Sequence, residues 1–558
     1  MNEGEVSSLE PATIAEPSFS SQFKVRATAT LLVFGALVAY HNSLRGPFVF
    51  DDVGVIEKNL TIRSLWPIWN TFAPPIDGSP VTGRPLVNFT LALNYAFSGA
   101  SVGGYHLLNL LIHLLAGLTL FGIVRRTVRL RVGDAAALPL AFGVAWLWTL
   151  HPLQTEAVNY VVQRAESLAG LCYLLTLYCF IRGAVPPAAG EGGGPPAGRW
   201  FKFSVAACLA GMASKEVVVS APLIVLLYDR AFLAGSFRRA WIERGRVYAG
   251  LAATWLLLLV LVIRAGSRGG SAGFGTEVAW LDYALTQLQA LPHYLRLSLW
   301  PDPLVFDYGT GVVRYFVDVA WQGGVVLLLA VGAAIALWQN TWVGFLGAWF
   351  FAVLAPSSSV VPVVTQTMAE HRMYLALAAL AMLVVLGLQA VAGRRSVAIV
   401  AGLGLLLGWG TVRRNEDYRS AEALWRDTAV KVPGNARAHY NLANALVLAG
   451  RAPDAVREFE TAVRLNPKNL EGQNNLGVLL AESGRVPEAM AHFEQAVKLK
   501  PDDAESQLNL ANTLFQLGRL PEAIGHYEQA LRLNPALTDA RDNLQAARRE
   551  LSRGARRP

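Results

Sequence analysis

Charge is scarce in this sequence: Asp, Glu, Lys and Arg together make up 16% of its 558 residues, against about a quarter in ordinary soluble domains. Hydrophobic residues reach 53% and the mean hydropathy is +0.36, so the composition suits lipid rather than water as the main solvent. Cysteine is scarcer still. Cys172, Cys179 and Cys208 all sit in apolar stretches without metal-ligand or disulfide-framework spacing, which excludes a cysteine-stapled scaffold and leaves them as small packing residues. No Gly-rich phosphate loop occurs. The formal charge of +8 does not point to nucleic acid, because Lys and Arg fall in short runs beside apolar segments and no groove-reading or base-stacking motif accompanies them.

What is abundant is the long apolar segment. Residues 1–22 are rich in Ser, Glu and Pro, lack periodicity and read as disordered. Lys24 and Arg26 then precede an apolar run at 27–40 with no clean cleavage site after it, which reads as a retained first transmembrane helix. Eleven stretches suit a bilayer crossing: 27–41, 106–124, 138–150, 167–183, 201–213, 217–232, 247–264, 320–338, 342–355, 374–391 and 396–412. With eleven crossings the basic runs at Lys24/Arg26, Arg125–Arg131, Arg199/Lys202, Arg238–Arg246 and Arg394/Arg395 share one side, expected to be the cytoplasm. Residues 286–300 are apolar too, but a twelfth crossing would break that pattern, so they read as an interfacial or re-entrant helix anchored by Tyr294 and Trp300. This topology places the N-terminus in the cytoplasm, and the loops 42–105, 151–166, 214–216 and 356–372 on the outer face with the C-terminus. The Pro/Gly-rich stretch 185–198 reads as a flexible cytoplasmic linker.

Beyond residue 412 the pattern changes. Segments 436–469, 470–503 and 504–537 each hold 34 residues and align at Gly450/Gly484/Gly518, Ala455/Ala489/Ala523, Phe459/Phe493/Tyr527, Ala462/Ala496/Ala530 and Pro467/Pro501/Pro535. That period belongs to the tetratricopeptide repeat, whose two helices cross at small residues and whose second helix stops at proline. Ala421, Trp425 and Pro433 give a preceding half repeat, and 538–551 supplies a capping helix. The predicted fold is therefore all-α: a disordered 1–22, a polytopic helical domain over 23–412, and a repeat solenoid over 413–558. First-helix positions Tyr440, Asn444, Asn474 and Asn512, with Arg437, are expected to line a concave groove suited to an extended peptide, or else to be solvated surface.

The outer loops hold the chemistry-bearing residues. FVFDD puts Asp51 and Asp52 where an apolar helix meets water; adjacent carboxylates there either cap a turn or act as a base with its neighbour orienting it or binding a cation. GRPL carries Arg84, and His106, Asn109 and His113 follow; the last two share a helix face, better explained by helix–helix hydrogen bonding than by a metal. HPLQTEAVNYVVQRAE supplies His151, Glu156, Arg164 and Glu166, SKE supplies Lys215 and Glu216, and AEHRMY supplies Glu370, His371, Arg372 and Tyr374. Each cluster alone reads as a local ion pair. Four on one face point to a substrate path, and the Arg372 fork suits a phosphate.

In this order, FVFDD, RPL, LNY, GYHLLNLLIH, HPLQTEAV, QRAE, SKE, LWPDPLVFD and AEHRMYL resemble the transmembrane and tetratricopeptide-repeat O-mannosyltransferases, which are similar to the GT-C class. The resemblance covers nearly the whole chain from about Val25 and implies a bacterial relative in an inner membrane, with the repeats on the periplasmic or outer face. It implies sugar transfer from a polyprenyl phosphate to a hydroxyl, expected to be protein Ser or Thr, with inversion. Asp51 is then the candidate base with Asp52 beside it. Arg372, Lys215 and Arg164 are the candidates to hold donor phosphate, and Arg84, His106, His151, Glu156, Glu166, Glu216, Glu370 and Tyr374 support them. No DxD pair in nucleotide-sugar context occurs, no cofactor is required by the reading, and a divalent cation stays open. The repeats number about three and a half, fewer than in the eukaryotic relatives. A membrane-tethered repeat scaffold with a degenerate transferase domain is the alternative. A transporter fits less well, since paired inverted halves are not seen.

Overall fold

A computed structural model describes residues 19–185, 196–266, 270, 272–273 and 278–554. The expected disorder at 1–22 falls mostly outside these, with 19–22 forming the first turn of a helix, and the linker at 185–198 lies largely outside them as well. The described chain is helical: α1 (Phe19–Ala39), α2 (Ile68–Thr71), α3 (Pro85–Ser98), α4 (Val102–Val132), α5 (Asp134–Thr149), α6 (Thr155–Asn159), α7 (Arg164–Ala184), α8 (Ala197–Met212), α9 (Ala221–Tyr228), α10 (Phe237–Ala265), α11 (Trp280–Leu299), α12 (Ala320–Trp338), α13 (Trp342–Leu354), α14 (Met373–Ala392) and α15 (Ser396–Asp417), then α16 (Ala421–Lys431), α17 (Ala436–Leu448), α18 (Ala452–Leu465), α19 (Leu470–Glu482), α20 (Val486–Leu499), α21 (Ala504–Gln516), α22 (Leu520–Leu533) and α23 (Thr538–Gly554). Among the described residues there is no strand, only an isolated bridge between Ala272 and Val363.

Two compact units result, Met1–Phe306 with Gly311–Arg419, and Asp307–Thr310 with Ser420–Pro558. The boundary follows α15, which continues through Asp417 before the repeats begin. In the first unit, seven helical stretches are long and apolar enough to cross a membrane, or eight if the bent pair Asp134–Thr149 and Pro152–Asn159 counts as one. One of the seven, Glu370–Asp417, contains both α14 and α15. Each of the eleven apolar segments read from the sequence coincides with a helix. Of these helices α5 and α8 have only 16 residues each and α13 only 13, and the segment 217–232 is divided among a 3-10 turn, the eight-residue α9 and a π-helical turn. Without a hydrophobic drive between lipid-bathed helices, close packing through small residues holds such a bundle together. A Cβ on Gly170 of α7 would lie 2.6 Å from the Tyr374 ring of α14, and one on Gly404 of α15 would lie 1.9 Å from the Trp146 indole of α5.

In the reading of 286–300 as an interfacial or re-entrant helix anchored by Tyr294 and Trp300, helix α11 corrects the Tyr294 anchor. Tyr294 is fully buried, and Tyr283, Thr286, Gln287 and Leu291 share its buried face, whereas Trp300, just past the helix, is exposed.

The second unit is the repeat solenoid. Asn435, Asn469 and Asp503 accept backbone N–H groups at the starts of α17, α19 and α21, which satisfies donors a helix start leaves unpaired. Gly450, Gly484 and Gly518 turn each hairpin at φ of 72°, 80° and 74°, a region only glycine enters freely. Ala455, Ala489, Ala523, Ala462, Ala496 and Ala530 are fully buried where paired helices cross.

Candidate active site

The two adjacent aspartates part company. Phe50, just before them, has a left-handed backbone with φ of 51°, a costly conformation for an aromatic residue and one that accumulates at functional sites. Past this kink the Asp52 side chain turns inward and is fully buried, its two oxygens accepting the N–H groups of Val162 at 2.8 Å and Val49 at 3.2 Å. Asp52 thus clips the segment after α1 to the turn that leads into α7. Asp51 stays half-buried, and its N–H donates to the Tyr160 hydroxyl at 3.2 Å. That hydroxyl in turn hydrogen-bonds the Asp51 side chain.

Burial pushes the Asp52 carboxyl up to about 8, opposed by the Val49 and Val162 N–H groups. The ordinary value is 3.8, so the folded chain holds this proton to higher pH than the unfolded chain does, and stability is lost as pH rises through that window. Unfolding midpoints of the detergent-solubilised protein are expected to fall between pH 4 and 8 more steeply than those of Asp52→Asn, which has nothing to titrate there. Parallel curves would mean that the carboxyl is ionised throughout.

Residues far apart in sequence gather where α7 and α14 begin and α8 ends. Lys215 lies 2.5 Å from the buried Glu166, and Arg84, which precedes α3, lies 3.5 Å from Glu216. Burial lowers the Lys215 ammonium, Glu166 raises it, and Arg84 and Arg372 lower it further, so the three cations share one field. Burial likewise pulls Arg84 down to about 10. Glu156 grips the following segment, accepting the His371 N–H at 3.1 Å and meeting its Nδ1 at 2.7 Å, while Glu370 accepts the Val305 N–H at 2.5 Å. These contacts fix the turn that carries Arg372.

Arg372 is 5% exposed, and the hydrogen-bond partners of its guanidinium are neutral oxygens, the Tyr283 hydroxyl at 3.2 Å, Gln287 Oε1 and Ser358 Oγ at 3.4 Å, the Thr367 carbonyl at 3.2 Å, and the Gln366 carbonyl, with the Glu166 carboxylate acting on it at longer range. An arginine keeps its charge when buried, so a cation satisfied by dipoles alone retains affinity for an anion. Tyr283 and Gln287 come from the buried face of α11, and Tyr294 on that face accepts the Ala369 N–H at 2.8 Å. The sequence reading passed over this shell. Its signal was the recurrence of polar and aromatic residues at 283, 287 and 294 on one helical face.

Other candidates make contacts between helices and turns. Arg164 is fully buried and donates to Asn109 Oδ1 at 2.7 Å and to the Tyr105 and Thr90 carbonyls at 3.1 and 3.2 Å, binding α7 to α3 and α4. His106 meets the Gly46 carbonyl at 3.0 Å. His151 accepts the Leu153 N–H on Nδ1 and meets the Ser298 carbonyl with Nε2, the neutral tautomer of a turn cap. Tyr374 lies 3.0 Å from His113 Nδ1, deep between α4 and α14. Among the described residues no group of three or more His, Cys, Asp or Glu side chains is placed to hold a metal ion.

In the second unit, Arg437 is paired with Asp307 at 2.5 Å. Asn475 Nδ2 reaches Asn444 Oδ1 at 3.2 Å and the Tyr440 hydroxyl at 3.4 Å, and Asn512 Oδ1 accepts the Tyr527 hydroxyl at 2.7 Å and Asn543 Nδ2 at 2.9 Å. Asn474 is buried and donates to Ser506 Oγ at 2.8 Å between neighbouring repeats.

A tetratricopeptide-repeat family profile matches residues 412–469, 443–504 and 474–538. Among curated proteins the chain is similar to the human protein O-mannosyl-transferase TMTC1, 28% identical over 79% of this chain and 55% of the relative, and to Drosophila melanogaster protein O-mannosyl-transferase Tmtc3, 26% identical over 78% and 54%. It therefore spans about half the length of these relatives. Similar solved structures are the first tetratricopeptide domain of Spaghetti (RPAP3) bound to an HSP90 peptide, 20% identical, TM-score 0.21, covering 21% of this chain and 93% of that one, and a MamA structure, 26% identical, TM-score 0.20, covering 28% and 82%. The curated homologues of this membrane chain are thus protein O-mannosyl-transferases, and its C-terminal unit is built of tetratricopeptide repeats.

Proposed function

We propose that this chain is a membrane glycosyltransferase that moves a mannose-like sugar from a polyprenyl phosphate to a protein Ser or Thr hydroxyl on the non-cytoplasmic face. The observation that carries the reading is Arg372, a buried guanidinium ringed by neutral oxygens in the same field as Lys215 and Arg84. In the reaction, Asp51 takes the acceptor hydroxyl's proton as its oxygen attacks the anomeric carbon. The bond from that carbon to the lipid phosphate breaks with inversion, and Arg372 with Lys215 stabilises the charge gathering on the departing phosphate. Tyr160 holds the Asp51 carboxylate in place, and Glu156, through His371, holds the turn bearing Arg372. Labelled polyprenyl-phosphate mannose and other polyprenyl-phosphate sugars, offered to the purified protein with candidate acceptors, test this. Mannose transferred to a peptide hydroxyl is expected, and no transfer from any polyprenyl donor would overturn it.

The repeats would recruit the acceptor. Oxygens of Asn444 and Asn512 are pinned by neighbouring side chains, which turns their Nδ2 groups toward backbone carbonyls of an extended peptide. Losing two such bonds in Asn444→Ala/Asn512→Ala is expected to raise KM for a protein acceptor about tenfold while transfer to a small hydroxyl compound keeps its rate. An unchanged KM would place recruitment elsewhere.

A further inference from the structure

At the end of the first unit away from Arg372, where α4 and α14 finish, lies a cavity of about 710 Å³. We propose that it holds one hydrocarbon chain of an anionic phospholipid from the surrounding bilayer, whose phosphate pairs with Arg131. The inference is independent of the transferase reading.

The walls are apolar, with Leu120, Val124 and Val128 forming a stripe along α4 opposite Phe345 of α13 and Met382 and Leu386 of α14. The inner end is closed by Trp349, whose Nε1 donates to the Leu375 carbonyl at 2.9 Å and whose ring packs edge-on against Tyr173. That pair stands between the cavity and the turn carrying Arg372, so this is not an arm of the candidate active site. An apolar cleft open along one side buries more surface when a hydrocarbon chain lies in it than when water does.

The Thr127 and Tyr228 hydroxyls on the wall satisfy each other at 2.8 Å, and the polar groups with capacity to spare lie at the outer end, an amphipathic arrangement that suits a lipid. Of the arginines closing α4, Arg125 and Arg129 approach Asp134 at 3.5 and 3.9 Å, and Arg126 lies over the Tyr178 ring at 4.9 Å. Arg131 is exposed, donates only to the Ala231 carbonyl at 3.1 Å, and has no carboxylate partner among the described residues. Across the mouth, Gln389 uses its Oε1 to accept from Ser396 at 2.5 Å, leaving its Nε2 donors for a phosphate oxygen. Asn340, in a left-handed backbone at φ of 55°, buries an Oδ1 that has no hydrogen-bond partner. Two donors and one orphan acceptor match a phosphate carrying a hydroxylated headgroup, and a charge at this depth favours an anionic lipid over a zwitterionic one.

The test is native mass spectrometry of the full chain, delipidated in detergent and titrated with dioleoyl-phosphatidylglycerol or dioleoyl-phosphatidylcholine. One phosphatidylglycerol is expected to be retained, with phosphatidylcholine held more weakly. Arg131→Gln is expected to weaken phosphatidylglycerol retention about tenfold and phosphatidylcholine retention less, since the choline cation already offsets that lipid's phosphate, and Arg131→Lys to restore part of the loss. Leu386→Trp, which fills the throat, is expected to abolish retention of both. Equal affinity for the two lipids, retention indifferent to Arg131→Gln, or co-purification of a polyprenyl phosphate in place of phospholipid would each overturn the proposal.

Discussion

Asp51→Asn is expected to lower sugar transfer by about a hundredfold or more, the usual cost of removing a general base, while leaving the unfolding midpoint within a degree or two of the parent. The side chain is half-buried, its bonding runs through Tyr160, and the amide keeps size and one acceptor, so little packing is lost. Asp52→Asn is expected to behave in the opposite way. Its oxygens bridge Val49 and Val162, and an amide offers one acceptor where two are used, so the variant loses stability first and activity as a consequence. Tyr160→Phe separates positioning from chemistry: it removes the hydroxyl on Asp51 while leaving the ring against Phe306 at 5.1 Å, and is expected to lower kcat without raising KM for donor. Transfer by Asp51→Asn at near-parent rates, with Asp52→Asn inactive yet fully folded, would exchange the two roles.

That division was not legible in the sequence. Asp51 and Asp52 are chemically identical neighbours, and which of them turns inward is decided by the Phe50 backbone and by an N–H from Val162, more than a hundred residues away. Arginines posed the same difficulty. Arg164 and Arg372 stand in equally polar motifs and both donate to neutral oxygens, but Arg164 ties α7 to α3 and α4, whereas Arg372 lies in the field of Lys215 and Arg84, and only tertiary structure tells these apart. Repeats are the contrary case. The landmarks from Gly450 to Pro535 have causes that recur within each hairpin, a left-handed turn, a buried alanine at the crossing, a buried aromatic or a helix stop, so a single chain exposes them through its 34-residue period. Apolar segments were equally plain because hydropathy is local. Their ends were softer, since α8 and α13 are short for a span and α14 and α15 run together within one long apolar stretch.

Arg372 offers the second large effect. Replacing it with alanine removes a cation and leaves the Tyr283 hydroxyl, Gln287 Oε1 and two backbone carbonyls without their donor, so two consequences are expected. Affinity for the lipid-phosphate donor should fall by about a hundredfold, since a buried charged hydrogen bond contributes roughly 1.5–3 kcal/mol and a fork makes two. The fold should also lose stability, because those oxygens cannot reach water. Arg372→Lys resolves the two: the ammonium keeps the charge but cannot span acceptors contributed by α11 and by the 366–367 segment at once, so it is expected to recover part of the donor affinity and less of the thermal midpoint. Donor affinity is read by equilibrium binding of a labelled polyprenyl phosphate, and stability by the unfolding midpoint of the same preparation. A lysine variant that restores stability with no gain in donor affinity would mean that this guanidinium only braces α11 against α14, and the phosphate would then have to be sought at Lys215 and Arg84.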